Sequence, residues 1–181
     1  MSTEIMQSSE QIYQGKIIRV RRDAILVNGV KPAFREVVEH NGGVAVAALT
    51  EQNELLFARQ LRYAYGEELL EIPAGKRDSK DEDPMACGKR ELREETGATA
   101  EVFVPLGKVY PTPGYCTEII WLFGCRISGF GARDLDEDED IAVERIPLEK
   151  AVEMVMNNEI ADAKTQIAVL KMAELVRTGR I

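Results

Sequence analysis

The chain has 181 residues, an apolar fraction of 45% and a formal net charge of −8 at pH 7. This excess of negative charge argues against nucleic acid and anionic membranes as partners, and no apolar run approaches the roughly 18 residues of a membrane span. Three cysteines without C-x-x-C spacing, and a polar N-terminus without the apolar core of a signal peptide, favour a reducing compartment, so we expect a cytoplasmic protein.

The first 40 residues are predicted to form a small antiparallel sheet of three short strands. Apolar residues indicate strands at 11–20, 23–27 and 31–40, and Asn28-Gly29 is a strong signal for a hairpin turn. A sheet of three short strands needs another surface to cover its apolar face. We predict that residues 1–40 form a separate N-terminal domain.

The remainder, residues 41–181, is predicted to be one α/β domain with helices on the faces of a mixed sheet. The run VAVAAL at 44–49 is typical of a strand buried on both faces. Further strands are indicated at 55–59, 102–109, 119–127 and 141–146. Helices are indicated at 147–156 and 163–177, the second with a core-facing stripe formed by Ile167, Leu170, Met172 and Leu175.

A further helix is predicted between Pro84, which suits a first turn, and Gly97, which suits a C-terminal stop. Glu91, Glu94 and Glu95 stand at i, i+3 and i+4, so their carboxylates share one face. Like charges placed in this way cost a few tenths of a kcal/mol each, whereas a hard cation such as Mg²⁺ reverses that sign. A solvated acidic face is the alternative interpretation.

A second acidic run spans residues 134–140, where six of the seven side chains are carboxylates. Charge alone does not distinguish a solvated loop from a functional one. The D-x-D-x-D-G spacing of a calcium loop is absent from this run.

The segment from Gly75 to Ala98 resembles the Nudix box of diphosphate hydrolases, G-x5-E-x7-R-E-U-x-E-E-x-G-U, where U is a bulky apolar residue. Seven residues separate Glu82 from Arg90, and Leu92 occupies the first U. Two departures exist: six residues, rather than five, separate Gly75 from Glu82, and Ala98 is small for the last position. Either the loop carries one inserted residue, or Asp81 takes the acidic role.

Four further segments resemble landmarks of the ADP-ribose pyrophosphatase branch of that family: residues 35–39, 59–62, 71–75 and 111–114. Pro113 follows Gly97 by 16 residues, a spacing associated with the branch. The resemblance implies a Nudix-like α/β/α sandwich with a mixed sheet, and an N-terminal sheet that helps to form a homodimer. It also implies hydrolysis of a nucleoside diphosphate sugar with Mg²⁺ or Mn²⁺ as cofactor.

The resemblance also assigns roles to particular residues. Arg90 is expected to brace the loop by pairing with an acidic residue such as Glu82. The guanidinium groups of Arg35 and Arg62 suit phosphate or ribose contacts, with surface ion pairs as the alternative. The resemblance implies metal ligands at Ala74 (through its carbonyl), Glu91, Glu95 and Glu139. It implies catalytic roles for Glu94, as a weaker ligand or an orienting group, and for Glu137, as the base, with its register in the acidic run open. Pro113 and Gly114 are expected to shape the edge of the substrate site.

ADP-ribose, cleaved to AMP and ribose 5-phosphate, is the expected substrate. GDP-mannose or another sugar nucleotide on the same machinery is the near alternative. A non-catalytic nucleotide-binding or sensor module is the alternative of a different class, and the intact set of Glu91, Glu94 and Glu95 argues against it.

Overall fold

The computed structural model describes residues 2–135 and 140–181. Its contacts divide into two compact units, one made of Met1–Gly42 with Tyr110–Ile119 and the other of Gly43–Val109 with Ile120–Ile181. The division of the chain at residues 40 and 41 into two domains stays a prediction.

The first unit contains a three-stranded antiparallel sheet of β1 (Glu4–Gln14), β2 (Arg19–Val27) and β3 (Lys31–Glu39). The predicted turn between β2 and β3 is confirmed. Asn28 and Gly29 both have positive φ, at 53° and 74°, which is the conformation that this residue pair tolerates best.

The predicted strand at 11–20 is wrong, because the chain reverses inside it. The Gly15 amide donates to the Ile18 carbonyl at 2.9 Å, and β2 begins at Arg19. Strand β1 instead reaches back to Glu4 and pairs along its length with β2, so these strands are longer than predicted. Every β1 residue is exposed, which is why an apolar pattern could not reveal it.

The segment 110–119 belongs to this first unit and contains Pro113 and Gly114. Its Tyr115 carbonyl accepts from the Val38 amide at 2.8 Å, and its Thr117 amide donates to the Val38 carbonyl at 2.9 Å. These bonds add the segment to the outer edge of β3.

The described part of the second unit is built on a seven-stranded mixed sheet. Strands β5, β4, β10 and β9 lie side by side with β12 at one edge, β6 pairs with β5, and β7 pairs with β4. Only the β4–β10 pairing is parallel among these. The strands are β4 (Gly43–Leu49), β5 (Glu54–Arg62), β6 (Glu67–Glu71), β7 (Ala74–Lys76), β9 (Phe103–Val109), β10 (Ile120–Arg126) and β12 (Ala142–Pro147), and a small separate pair is formed by β8 (Ala98–Thr99) and β11 (Gly129–Phe130).

Helix α1 (Pro84–Thr96) lies on one face of this sheet, and α2 (Leu148–Met156) and α3 (Ala163–Arg177) lie on the other. Strand β4 is buried along its whole length, as predicted, and its side chains alternate between the two faces. Val44, Val46 and Ala48 belong to the cluster that contains Leu92 of α1, whereas Ala45, Ala47 and Leu49 belong to the cluster that contains Met172 of α3. The predicted α/β/α sandwich is confirmed.

In the predicted stripe of α3, Met172 and Leu175 are buried and Ile167 is half-buried against the same core, but Leu170 is 41% exposed. The buried positions are Thr165, Ala168, Val169, Met172 and Leu175, a narrower stripe that excludes position 170. No helix within the described residues is long and apolar enough to cross a membrane.

Candidate active site

Helix α1 has both ends that its sequence predicts. The Asp83 carboxylate accepts from the Ala86 amide at 2.9 Å, and Pro84 opens the first turn, where its missing N–H is not needed. Gly97 ends the helix with a φ of 73° and donates its amide to the Arg93 carbonyl at 2.8 Å. These caps define which turn of the helix carries each glutamate.

Arg90 lies among three carboxylates of this region. Its guanidinium is 2.9 Å from Glu91, 3.1 Å from Glu94 and 3.3 Å from Glu82. Partial burial alone would lower the pKa of Arg90, but the charges of Glu91 and Glu82 and the hydrogen bond to Glu94 outweigh it and raise that pKa. Arg90 therefore offsets the repulsion between the glutamates, and the predicted brace to Glu82 is confirmed.

The structure also decides between Asp81 and Glu82. The Glu82 carboxylate accepts from the Asp78 amide at 2.7 Å as well as from Arg90, and the Arg77 side chain donates to the Glu82 carbonyl at 3.0 Å. Glu82 thus takes the acidic role, and the extra residue is accommodated in the loop before it.

Glu91 and Glu95 meet the loop that precedes the helix. Glu95 is only 4% exposed, and its carboxylate accepts from the Ala74 amide at 3.0 Å. The Glu91 carboxylate packs directly on the Cα of Gly75, where a Cβ would overlap it. Glycine at position 75 leaves room for the Glu91 carboxylate, which an added side chain would displace, so the loop and the helix are in contact at both glutamates.

The chemistry of this donor set fits a hard divalent cation. Two carboxylates on adjacent turns lie beside the 74–75 backbone, and oxygen donors of this kind are what Mg²⁺ takes, with waters and substrate phosphates completing the set. Within residues 2–135 and 140–181, no three His, Cys, Asp or Glu side chains are gathered as a complete metal site. The described donors that lie close together are the Glu91 and Glu95 carboxylates, beside the backbone of residues 74–75.

Glu137 and Glu139, predicted as base and metal contact, lie outside the described residues. The chain just before them is attached to the end of α1. The Asp134 amide donates to the Glu94 carbonyl at 3.0 Å, and the Gly131 amide donates to the Gly97 carbonyl at 2.7 Å. The acidic run therefore begins at the turn of α1 that carries Glu94 and Glu95.

The predicted substrate-binding arginines are both in ion pairs. Arg62 donates two hydrogen bonds to the Glu71 carboxylate, at 2.5 and 2.8 Å. Arg35 pairs with Glu4 across the first-unit sheet. Arg35, Pro113 and Gly114 belong to the first unit, whereas Arg62 belongs to the second with the glutamates.

The sequence predicted a substrate contact for Arg62 but no role for the Glu71 carboxylate or for Lys164. This carboxylate is 3% exposed and binds Lys164 as well as Arg62. Burial would raise the pKa of Glu71, but the hydrogen bonds and charges of Arg62 and Lys164 lower it to about 2. Two features of the sequence could have indicated this cluster. An acidic residue interrupts the apolar run LLEIPAG, and the polar segment Asp162-Ala-Lys-Thr165 begins a predicted helix.

Comparison with known proteins gives consistent matches to this chain. A family model described as NUDIX domain matches residues 39–167. The chain is 39% identical to an ADP-ribose pyrophosphatase of Bacillus subtilis, over 90% of this chain and 88% of that protein. It is 36% identical to a methanol dehydrogenase activator of Bacillus methanolicus (89% and 88% covered) and 34% identical to a GDP-mannose pyrophosphatase of Citrobacter koseri (72% and 73% covered).

Proposed function

This chain belongs to the NUDIX domain family, and we propose that it is a metal-dependent diphosphate hydrolase that acts on nucleoside diphosphate sugars. ADP-ribose is the favoured substrate, with AMP and ribose 5-phosphate as products. The similarity to the Bacillus subtilis ADP-ribose pyrophosphatase, which extends over 90% of this chain, supports that choice.

One observation carries the proposal: the Glu95 carboxylate is buried and fixed by the Ala74 amide, while Glu91 rests on Gly75 beside it. Burying a carboxylate is costly unless it is hydrogen-bonded or coordinates a metal. The contacts between α1 and the loop hold these oxygen donors in fixed positions. Hydrolysis of a diphosphate requires donors that are held in this way.

Mg²⁺ or Mn²⁺ is the proposed cation, held by Glu91, Glu95 and the Ala74 carbonyl. When bound, a divalent cation neutralises charge on the phosphoryl oxygens and favours ionisation of a water. Glu94 takes an orienting role, since it reaches Arg90, which also contacts Glu91. Arg90 holds this group of carboxylates in place rather than contacting the substrate.

The acidic run is proposed to complete the site, with Glu137 as the base that takes the proton of the attacking water and Glu139 as a further metal contact. The bond between the Asp134 amide and the Glu94 carbonyl supports this, because it brings the start of the run to α1. Arg62 and Arg35 are proposed to contact phosphate or ribose, and Pro113 and Gly114 to shape the edge of the substrate site.

We also propose that the protein is a homodimer formed through the first-unit sheet. Strand β1 is an edge strand of that sheet and is exposed along its whole length. Large apolar side chains on the sheet and on its β2–β3 turn are exposed, and exposed apolar side chains of this kind are typical of an interface. They are Ile5, Met6, Ile12, Tyr13, Val30 and Phe34.

Sedimentation is expected to give twice the chain mass, and Ile12→Lys is expected to shift the mass to that of one chain, because it places a charge in the buried interface. A wild-type protein that sediments as a single chain would refute the homodimer.

A cytoplasmic location is proposed as well, since Cys87, Cys116 and Cys125 are free thiols.

The proposed activity is tested by phosphate release, coupled to a phosphatase, across ADP-ribose, GDP-mannose, UDP-glucose, NADH, Ap4A and 8-oxo-dGTP. We expect kcat/KM for ADP-ribose to exceed that for GDP-mannose by at least about tenfold, because a site that hydrogen-bonds one base and sugar disfavours a ligand that leaves those groups unpaired. EDTA is expected to abolish cleavage, and added Mg²⁺ or Mn²⁺ to restore it.

Two other outcomes have definite meanings. Faster cleavage of GDP-mannose would identify the substrate suggested by the Citrobacter koseri relative. Binding of ADP-ribose without cleavage of any compound in the presence of Mg²⁺ would overturn the enzyme and leave a nucleotide-binding module.

A further inference from the structure

Glu71, the last residue of β6, is a buried carboxylate with two cations. Arg62 contacts it through Nε and Nη2, and Lys164 contacts Oε2 through its ammonium group. Arg62 by itself balances the single negative charge of Glu71. Lys164 therefore brings a second positive charge, whose role depends on the other charged groups around the pair.

Lys164 is held in its position by the first turn of α3. Its ammonium is 3.0 Å from the carboxylate of Asp162, the residue that caps the helix by accepting from the Thr165 amide at 2.9 Å. The Thr165 hydroxyl accepts from the Ile72 amide at 3.0 Å, so the same turn is joined to the residue after Glu71. These contacts hold the Lys164 ammonium between the carboxylates of Glu71 and Asp162.

Arg62 faces an open cavity of about 310 Å³, a volume at the lower end of the range for small-ligand sites. Its side chain is 37% exposed, whereas that of Lys164 is 13% exposed. The Nε and Nη2 atoms of Arg62 are the ones that bond to Glu71. The cavity is lined by Arg62, Tyr63, Tyr65, Leu69, Asp162 and Lys164, among others.

The formal charges of this group explain the second cation. Arg62 and Lys164 are positive and Glu71 and Asp162 are negative, so the cluster is neutral as it stands. Without Lys164 the cluster would carry one net negative charge, and the field at the cavity would oppose an anionic ligand.

We propose that Lys164 is a positioning residue for substrate: by balancing Glu71 and Asp162 it allows Arg62 to offer its guanidinium to the diphosphate in this cavity. This inference rests on the proposed function only for the identity of the ligand. The geometry of the cluster applies to any nucleoside diphosphate, whether or not it is cleaved.

Binding of ADP-ribose in EDTA, measured by calorimetry, tests the inference separately from hydrolysis. Lys164→Met is expected to raise Kd by about tenfold, because it leaves one uncompensated negative charge near the ligand. Lys164→Arg keeps the charge and is expected to bind within about threefold of wild type. Lys150→Met is the matched control, since Lys150 is an exposed lysine paired with Glu153 on α2, and its Kd should not change.

The double variant Glu71→Gln with Lys164→Met distinguishes charge balance from a merely structural role. It restores a neutral cluster, so its Kd is expected to recover by at least about threefold relative to Lys164→Met alone. A structural role predicts the opposite, since the double variant loses more contacts. Thermal melting accompanies each measurement, and Lys164→Gln takes the place of Lys164→Met if that variant does not fold.

The inference is overturned if Lys164→Met binds ADP-ribose as tightly as wild type, or if the double variant binds more weakly than Lys164→Met. The proposed function fails in a different experiment, by the absence of cleavage in Mg²⁺. Hydrolysis by wild type with an unchanged Kd for Lys164→Met would refute the role of Lys164 and leave the activity standing.

Discussion

Replacing Glu95 by glutamine is expected to lower kcat by about 10³-fold, the scale on which loss of one electrostatic contact to a transition state acts. Glu95 is 4% exposed and joins the proposed metal site to the loop through the Ala74 amide. Glutamine keeps an oxygen that can accept from that amide, so the loop position is retained while the negative charge is removed. The loss should therefore appear in kcat and in the Mg²⁺ concentration that gives half-maximal activity.

Steady-state kinetics over a series of Mg²⁺ concentrations, with thermal melting, provides the measurement. Glu51→Gln is the matched control, because Glu51 is an exposed glutamate in the turn before β5 and should leave kcat unchanged. A Glu95→Gln enzyme with wild-type kcat would exclude this carboxylate from the metal site. An unfolded variant would mean that the charge is needed for the fold, and Glu91→Gln would then carry the same test, since Glu91 is the second proposed ligand.

Replacing Gly97 by alanine is expected to lower the free energy of unfolding by roughly 3 kcal/mol, the upper end of the cost of local backbone strain. Gly97 has a φ of 73°, which disfavours any side chain, and a Cβ at this position would overlap the Gly131 carbonyl oxygen. Since that contact belongs to backbone, the neighbour cannot rotate away. The segment that leads to the acidic run must shift, so kcat is expected to fall by up to about 100-fold.

Gly66→Ala separates these two effects. Gly66 has a similar φ of 67°, but an added Cβ would meet nothing within 4 Å. We expect it to cost about 1 kcal/mol through conformation alone. Urea denaturation and kinetics of both variants give the comparison, and equal stability losses in the two would show that the contact with Gly131 has no importance.

Helix α1 was predictable because its information is local. Pro84, Gly97 and the spacing of three glutamates all act within a few turns, and the caps form where these residues stand. The burial of β4 was predictable for a similar reason, because an uninterrupted apolar run has few alternatives to a strand covered on both faces. In both cases the pattern and the structure obey the same local rule.

The predictions for strand β1 and for Leu170 were wrong because both depend on contacts with other parts of the fold. Strand β1 forms because β2 supplies backbone partners along most of its length, although all of its own side chains are exposed. Leu170 is apolar and was placed in the core-facing stripe by its spacing along α3. The helix buries a narrower face than that spacing assumed, and Leu170 lies beyond it and is 41% exposed. The local sequence of β1 does not specify its partner strand, and the local sequence of α3 does not specify how wide its buried face is.

From the sequence by itself, the resemblance of residues 75–98 to the Nudix box predicted the family and its α/β/α sandwich. Capping residues, charge spacing and apolar runs predicted helix α1, its glutamates and the buried strand β4, because they act over short distances along the chain. Only the tertiary structure decided that Glu82 rather than Asp81 takes the acidic position of the loop, and that Lys164 lies against Glu71, 93 residues away. A buried charge must find its counter-ion in space, and in this fold that counter-ion comes from an element distant in sequence.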